Sequence, residues 1–327
     1  MEPTLTLYKP KRELSVIDSR QSSASSFISA NTEVIELKEL KDNHIIPVFV
    51  KDNEPAISQL DFIESVYEAV SDAYHGETIL RPSIRMSHPI KGRIPDARNK
   101  PASELKEWEK TIYYERMMFA IEIPSLTETI DGNTLALTVG GVKAYNQDNL
   151  YTKKGADERF KFFVGFQNKV CTNLCVSSDG FVGDIRVKDL NALQNEIHHA
   201  LYSYNPVEHA RSMDRLTQYQ LTEQQFANLL GRSRMYNYLS QDQKQGIPEM
   251  LYGDQQLGGV CKDFYRDDSF CRDEDGNINL WKLYNLFTGA NKTTYIDQFL
   301  DRSLNAFQFT DQIRKSLDMG QSNWFLS

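Results

Sequence analysis

The stretch RFKFFVGFQNKVCTNLCVSSDGFVGDIRVK, residues 159–188, decides the fold because it has the pattern of two neighbouring β-strands. Successive side chains of a strand point to opposite faces of its sheet. Apolar residues occupy every second position of the first strand: Phe160, Phe162, Val164 and Phe166. They predict one apolar face that packs into a core. The Asp-Gly pair at 179–180 tolerates the positive φ of a tight turn, so we expect the hairpin to turn there.

The periodicity of the chain changes on either side of this stretch. Upstream, alternating apolar segments with short connections indicate antiparallel strands, and one helix is predicted between Ser58 and Gly76. Downstream of Lys188, apolar residues recur every three or four positions, which is typical of helices. We therefore predict an α+β fold: a mostly antiparallel sheet with one packed helix in the N-terminal half, and a helical C-terminal half.

Composition suggests three parts in a chain of 327 residues. Residues 1–31 are mostly polar and are expected to form a flexible arm, residues 32–188 an α+β sheet domain, and residues 189–327 a mainly helical domain. No apolar run approaches the roughly 18 residues that a membrane span requires. We expect a cytoplasmic protein without a membrane contact, in which the four cysteines are reduced.

The formal charge of −8 is spread unevenly. Between residues 81 and 101, six basic residues face the single acid Asp96, which gives this segment +5 and leaves −13 for the remainder. The basic residues are Arg81, Arg85, Lys91, Arg93, Arg98 and Lys100. Such a segment is a candidate nucleic-acid-binding site, and its alternative is a solvated loop that balances an acidic body.

No aromatic residue lies among these six basic residues, although binding of single strands favours aromatics close by. The nearest one downstream is Trp108. We expect it to face inward with Leu105, on a short helix capped by Ser103.

Metal chemistry has two candidate sets of residues. Cys171 and Cys175 have zinc-ligand spacing, but Cys261 and Cys271 are ten residues apart and do not. His198, His199 and His209 lie on predicted helices, where Glu196 and His199 match one copy of a di-iron motif that is needed twice. We therefore expect no metal and no cofactor. The sequence has no nucleophile elbow, phosphate-binding loop or dinucleotide fingerprint, so catalytic residues stay unknown and a non-enzymatic role is favoured.

Three passages resemble a family of uncharacterised phage- and plasmid-borne bacterial proteins, classed as domains of unknown function, with a branch on mobile elements of gut bacteria. FQNKVCTNL at 166–174 resembles its Val-Cys-Ser/Thr-Asn strand, LWKLYNLFT at 280–288 its Trp-Gly-x-x-Asn-Ala-x-Thr helix, and residues 199–210 its His-bearing helix. The similarity covers about residues 110–310 and departs at Lys282, Leu286 and Phe287. It implies a mobile-element context and no particular reaction.

Three hypotheses about function follow. The first is a non-enzymatic accessory protein of a mobile genetic element that contacts DNA through the basic segment. The second is a protein-protein interaction module that binds a host or element protein through its acidic helical half. The third is a metal-dependent enzyme that uses the histidines or the cysteines. The oligomeric state and the identity of the partner do not follow from the sequence.

Overall fold

The structure is a computed structural model that describes residues 26–43, 57–97, 99–148 and 156–327. Its main sheet has six strands: β1 Glu33–Ile35, β2 Ser83–Arg93, β3 Lys110–Ile130, β4 Asn133–Ala144, β5 Glu158–Asn168 and β6 Leu174–Val187. Every strand pairs antiparallel with the next one along the chain. The predicted antiparallel sheet is confirmed.

Helices cover the sheet and fill the C-terminal half, as predicted. The first two are α1 Leu37–Asn43 and α2 Gln59–Ala73. The later helices are α3 Leu190–Ser203, α4 Pro206–Leu216, α5 Glu223–Tyr236, α6 Gln241–Lys244, α7 Asp254–Arg266, α8 Leu280–Asn291 and α9 Ile296–Asp318. Two short strands, β7 Gln220–Leu221 and β8 Ile278–Asn279, pair within this half.

The apolar row on β5 lies on one face of the sheet, as its alternation predicts. Its four residues, Phe160, Phe162, Val164 and Phe166, all belong to the larger hydrophobic core. Phe163 points to the other face and packs in a second core with Val176 of β6 and Phe299 of α9. Both faces of the sheet are therefore buried, which explains why β5 reads as almost continuously apolar.

The predicted turn at Asp179-Gly180 is wrong. The chain turns ten residues earlier, after Asn168, whose side-chain oxygen accepts the backbone N–H of Val170 at 2.9 Å. Thr172 takes the positive φ, 58°. Residues 177–180 instead form a bulge inside β6, opposite Val164 alone. Gly180 is needed there for space, because an added Cβ would lie 2.1 Å from the Val164 carbonyl oxygen.

Helix α2 begins at a capping box, as Ser58 and Asp61 predict. The backbone N–H of Asp61 donates to Ser58 Oγ at 3.0 Å, and the backbone N–H of Ser58 donates to Asp61 Oδ2 at 2.8 Å. The buried side of the helix carries Phe62, which meets Phe119 and Phe160 edge to face at 5.2 and 4.9 Å between ring centroids. The helix is thereby fixed to the middle strands of the sheet.

The larger core is continuous across the predicted domain boundary at residue 188. It runs from Ile35 near the N-terminus to Phe325 near the C-terminus. Near the start of the described chain, Phe27 and Ile28 are buried in the second core, and the N–H of Ser29 donates to the Lys292 carbonyl at 2.8 Å. The last residues of the predicted arm, 26–31, thus pack against the helical half, and residues 1–25 lie outside the described chain.

Lys143 of β4 is the largest charged side chain in the interior and has no solvent exposure. Its ammonium donates to Asp148 Oδ2 at 2.7 Å and to Glu158 Oε2 at 2.9 Å. The other oxygens of both acids accept backbone N–H groups, from Arg159 at 2.7 Å and from Ile57 at 3.1 Å. The three charges are thus paired and hydrogen-bonded, which a buried charge requires.

Candidate nucleic-acid interface

The basic segment follows the β2–β3 ribbon to one end of the sheet. In the register, Lys91 lies opposite Ile112 and Arg93 opposite Lys110. Just beyond this end, the N–H of Ile94 donates to the Glu109 carbonyl at 3.0 Å. This bond joins the two ends of the connection between β2 and β3. The described residues between 91 and 110 are consequently gathered at a single end of the sheet.

Trp108 is exposed, and the prediction that it faces inward is wrong. Its side chain is 67% accessible, whereas the next residue, Glu109, is 2% accessible. The Glu109 carboxylate accepts the backbone N–H of Lys106 at 2.9 Å and also bonds the Lys100 ammonium. These bonds hold the pKa of Glu109 below its usual value. Because Glu109 turns inward to make them, the neighbouring indole is directed to solvent.

A lysine accompanies the exposed indole. The Lys106 ammonium lies 5.7 Å from the centroid of the Trp108 ring, within the range of a cation–π contact. Lys110, one residue beyond Glu109, bonds the Glu107 carboxylate. The end of the sheet therefore presents a flat aromatic surface with ammonium groups beside it, and acids offset part of their charge.

Two of the six predicted basic residues are engaged within the protein. The Arg85 guanidinium donates to Thr32 Oγ1 at 2.8 Å and to the Thr32 carbonyl at 3.1 Å, and partial burial lowers its pKa. Lys100 bonds Glu109, as described above. Both residues hold local structure, which reduces what they could contribute to a ligand.

The other four residues follow the ribbon or lie outside the described chain. Arg81 is exposed just before β2. Lys91 and Arg93 are among the last paired residues of β2, and pairing with β3 defines their backbone positions. Arg98 lies outside the described residues.

A cavity of about 480 Å³ opens on the same strand, nearer its middle. It is lined by Asn31, Glu33, Met86, Ser87, His88, Pro89 and Glu115. His88 lies opposite Glu115 in the register, between the paired residues Ser87 and Pro89, and has a φ of 60°. A positive φ is uncommon outside glycine and costs free energy that the surrounding structure must supply.

Hydrogen bonds and ring contacts fix the walls of this cavity. The His88 Nδ1 atom lies 3.0 Å from Ser87 Oγ, and its ring lies 5.9 Å from that of Tyr295. The Tyr114 hydroxyl donates to Glu33 Oε2 at 2.6 Å, and this bond to a carboxylate raises the pKa of Tyr114 to about 12. We had not predicted this site. The one sequence signal near it is Pro89, which has no N–H to donate to the ladder.

The two best-matched passages of the family resemblance meet inside the protein. Asn173, which precedes β6, donates from Nδ2 to the Asn285 carbonyl on α8 at 3.1 Å. Cys175 and Tyr284 are both buried, and their contact joins the same two elements. These residues connect the sheet to the helical half, so the motif positions have an architectural role here.

His209, from the third passage, is buried on α4. Its Nδ1 atom lies 2.7 Å from the Tyr204 hydroxyl, and Phe166 and Phe307 pack on its ring. Burial lowers the pKa of His209 to about 4, and the Asp179 charge opposes the shift. This histidine is therefore neutral at physiological pH.

The remaining candidates for metal binding are dispersed. Cys175 is buried in β6, Cys261 is exposed on α7, and His198 stacks on Tyr202 of the same helix at 6.2 Å. Within the described ranges, no group of three or more His, Cys, Asp or Glu residues is placed to hold a metal ion. In the same part of the chain, every helix is too short or too polar to cross a bilayer.

These features define an α+β protein: an antiparallel meander buried on both faces, with an aromatic and basic end and a cavity on one of its ribbons. The chain belongs to the family DUF3871, whose model matches residues 13–326 and whose description reads "Domain of unknown function, B. Theta Gene description". No curated protein and no solved structure matches the chain.

Proposed function

We propose that this protein is an accessory protein of a mobile genetic element that binds single-stranded DNA at the end of the β2–β3 ribbon. The observation that carries the proposal is the exposed Trp108 with the Lys106 ammonium over its ring. Stacking of a base on an aromatic side chain contributes about 1–3 kcal/mol and needs no particular sequence. An exposed indole beside cations therefore has the chemistry of a single-strand platform.

The charge distribution supports the same surface. The segment from Arg81 to Lys100 carries +5 in a chain of −8, and the structure brings its later residues to the end that bears Trp108. Arg85 and Lys100 are engaged internally, and Arg81 lies before β2, at the opposite end of the strand from Trp108. Phosphate contact at the ribbon end therefore falls mainly to Lys91, Arg93 and Arg98. Few phosphate contacts and one exposed indole favour single strands over duplex DNA, because duplex bases are already stacked.

The mobile-element part of the proposal has separate support. It rests on the resemblance of residues 166–174 and 280–288 to proteins of phage and plasmid origin. Membership of DUF3871 names no activity and leaves this context open. A cytoplasmic location is part of the same proposal, since that is where the DNA of such an element is found.

A binding titration at two salt concentrations tests the proposal. Fluorescence anisotropy with a labelled thymidine oligomer of about a dozen nucleotides should show binding near 50 mM salt. The affinity should fall by about 0.7 log unit per decade of salt for every phosphate contact. Duplex DNA of equal length should bind more weakly. If neither the single strand nor the duplex binds at the lower salt, the proposal is refuted.

Matched variants locate the surface. Trp108→Ala should weaken binding by about 5- to 100-fold, the loss expected for one stacked base. Tyr238→Ala removes an aromatic side chain that is even more exposed, at 82%, but lies in the helical half. It should leave the affinity unchanged. Equal losses in both variants would show that the contact is not at the ribbon end.

A second candidate, a protein-binding surface on the helical half, is favoured by exposed apolar groups at the C-terminal end of α5. Met235 and Tyr238 are 55% and 82% exposed and lie three residues apart. Pull-down of a host or element protein by the native chain, but not by a Met235→Ser, Tyr238→Ser variant, would support it. Recovery of nucleic acid alone would count against it.

A further inference from the structure

We infer that the cavity beside His88 binds a guanine base of the single strand that the ribbon end holds. The inference rests on the proposed DNA binding and adds a base-reading site to it. The cavity volume of about 480 Å³ lies in the range of small-molecule sites, about 300–1,000 Å³. This volume is large enough for a nucleobase.

The polar lining selects the class of ligand. Glu33 and Glu115 provide carboxylates and Asn31 an amide, and no lysine or arginine belongs to the described lining. Two carboxylates repel a phosphate, so the part of a nucleotide that enters is the base. Carboxylates accept hydrogen bonds, and every DNA base has a donor on its pairing edge: an amino group in guanine, adenine and cytosine, and a ring N–H in guanine and thymine.

Guanine fits this donor requirement best. Its N1–H and N2 amino groups are parallel donors that match the two oxygens of one carboxylate, whereas adenine and cytosine offer one amino group each and thymine offers one ring N–H. Glu115 is the group we assign to this contact. Its nearest charged partner, Arg116 Nε, is 3.6 Å away, and it makes no hydrogen bond to any other described side chain or backbone group. Glu33 already accepts the Tyr114 hydroxyl through Oε2.

The strained backbone of His88 supports a binding role. A φ of 60° at a non-glycine residue persists only where the surroundings impose it, and such residues cluster at ligand sites. The imidazole that this conformation presents to the cavity is held by Ser87 and contacts Tyr295. Imidazole and phenol rings are among the side chains on which unstacked bases pack.

The cavity and the basic end are joined by one strand. His88 precedes Lys91 by three residues and Arg93 by five, which at about 3.3 Å per residue corresponds to roughly 10 and 17 Å. A strand of DNA that stacks at Trp108 and runs along β2 would bring a nucleotide further along the strand to His88. We therefore expect the protein to select the base at His88 and to bind the other nucleotides without sequence preference.

Competition between matched oligomers tests the inference. Thymidine oligomers of about a dozen nucleotides would carry one central guanine, hypoxanthine or adenine. Hypoxanthine keeps N1–H and lacks the N2 amino group. We expect guanine to bind at least about fivefold more tightly than hypoxanthine or adenine, the discrimination of one bidentate pair. Equal affinities for the three oligomers would overturn the inference and leave the proposed DNA binding intact.

Isosteric variants assign the contact. Glu115→Gln should abolish the preference for guanine, while the affinity for the plain thymidine oligomer and its salt dependence remain those of the native protein. Trp108→Ala should weaken all oligomers equally and keep the preference. A guanine preference that persists in Glu115→Gln would overturn the assignment. Thermal melting of each variant verifies that it is folded.

Free guanosine separates the two proposals. If thymidine oligomers do not bind at all, the proposed function fails, and titration of guanosine followed by NMR still tests the cavity. Shifts that are saturable for guanosine, weaker for inosine and lost in Glu115→Gln would support the site. No response to guanosine would overturn it.

Discussion

Lys143 and Lys106 carry the same charge in opposite surroundings. Lys143 is fully buried and bonds two carboxylates at 2.7 and 2.9 Å, and its ammonium lies 4.0 Å from the centroid of the Phe160 ring. Lys106 is exposed at the ribbon end, with its ammonium 5.7 Å from the Trp108 ring. Both are lysines beside an aromatic ring, and they differ in what surrounds the pair.

The difference separates groups that hold the fold from groups available to a ligand. Removing a buried ion-pair partner leaves unpaired charge in a medium that solvates it poorly, whereas exposed pairs contribute about 0–1 kcal/mol. Interior charges should therefore affect stability, and charges at the ribbon end should affect binding alone. The following variants compare interior positions with exposed ones.

The largest effect is expected for Lys143→Met. It leaves Asp148 and Glu158 buried without their cation, and the free energy of unfolding should fall by about 3–5 kcal/mol. Urea denaturation followed by circular dichroism measures the change. Adding Glu158→Gln should recover part of the loss because it removes one of the two buried carboxylate charges that bonded Lys143. The surface control Lys110→Met should stay within about 0.5 kcal/mol of the native chain.

Acid should destabilise the protein through His209. Its pKa is about 4 in the folded state and near 6.5 in the unfolded chain, so the unfolded state binds the proton first as pH falls. The contribution is complete above about pH 6.5 and is lost progressively between about pH 6.5 and 4, with a total near 3 kcal/mol. In His209→Gln, the unfolding free energy should depend much less on pH across this window than it does in the native protein. A His199→Gln control, on the exposed side of α3, should keep it.

A smaller loss is expected for Gly180→Ala. The added methyl group would lie 2.1 Å from the Val164 carbonyl oxygen, so the β6 bulge must shift, at a cost of about 1–3 kcal/mol. Gly231→Ala is the control, because nothing lies within 4 Å of that site in α5 and alanine favours a helix. Chemical denaturation should show opposite signs for the two variants. A neutral Gly180→Ala would contradict the close approach.

The smallest effect on stability is expected for Trp108→Ala. The side chain is two-thirds exposed, so its loss should change the unfolding free energy by less than about 0.5 kcal/mol. A larger loss in thermal or urea unfolding would mean that the indole packs in the fold, which would remove the basis of the proposed platform.

Regular periodicity made the sheet predictable. The two-residue period of β5 places Phe160 and Phe162 in the larger core, and the capping box at Ser58 marks the start of α2. Such patterns can be read from neighbouring residues, and any other arrangement of these segments would leave apolar side chains exposed to water. They predicted the antiparallel sheet and the helical half, but not the position of the turn between β5 and β6.

The errors arise where two local signals compete or where the answer is not local. Asp179-Gly180 has turn chemistry, yet Asn168 caps the actual turn, and the pair is used in a bulge. Trp108 is apolar, but Glu109 makes the inward bonds. The cavity joins Asn31, His88 and Glu115, which are distant in sequence and meet only through strand pairing.

The most direct measurement is the affinity for a thymidine oligomer in native, Trp108→Ala and Tyr238→Ala proteins at about 50 and 200 mM salt. The account predicts salt-sensitive binding by the native protein and Tyr238→Ala, and a loss of about 5- to 100-fold in Trp108→Ala without a change in folding. No binding by the native protein, or identical affinities in all three, would contradict it.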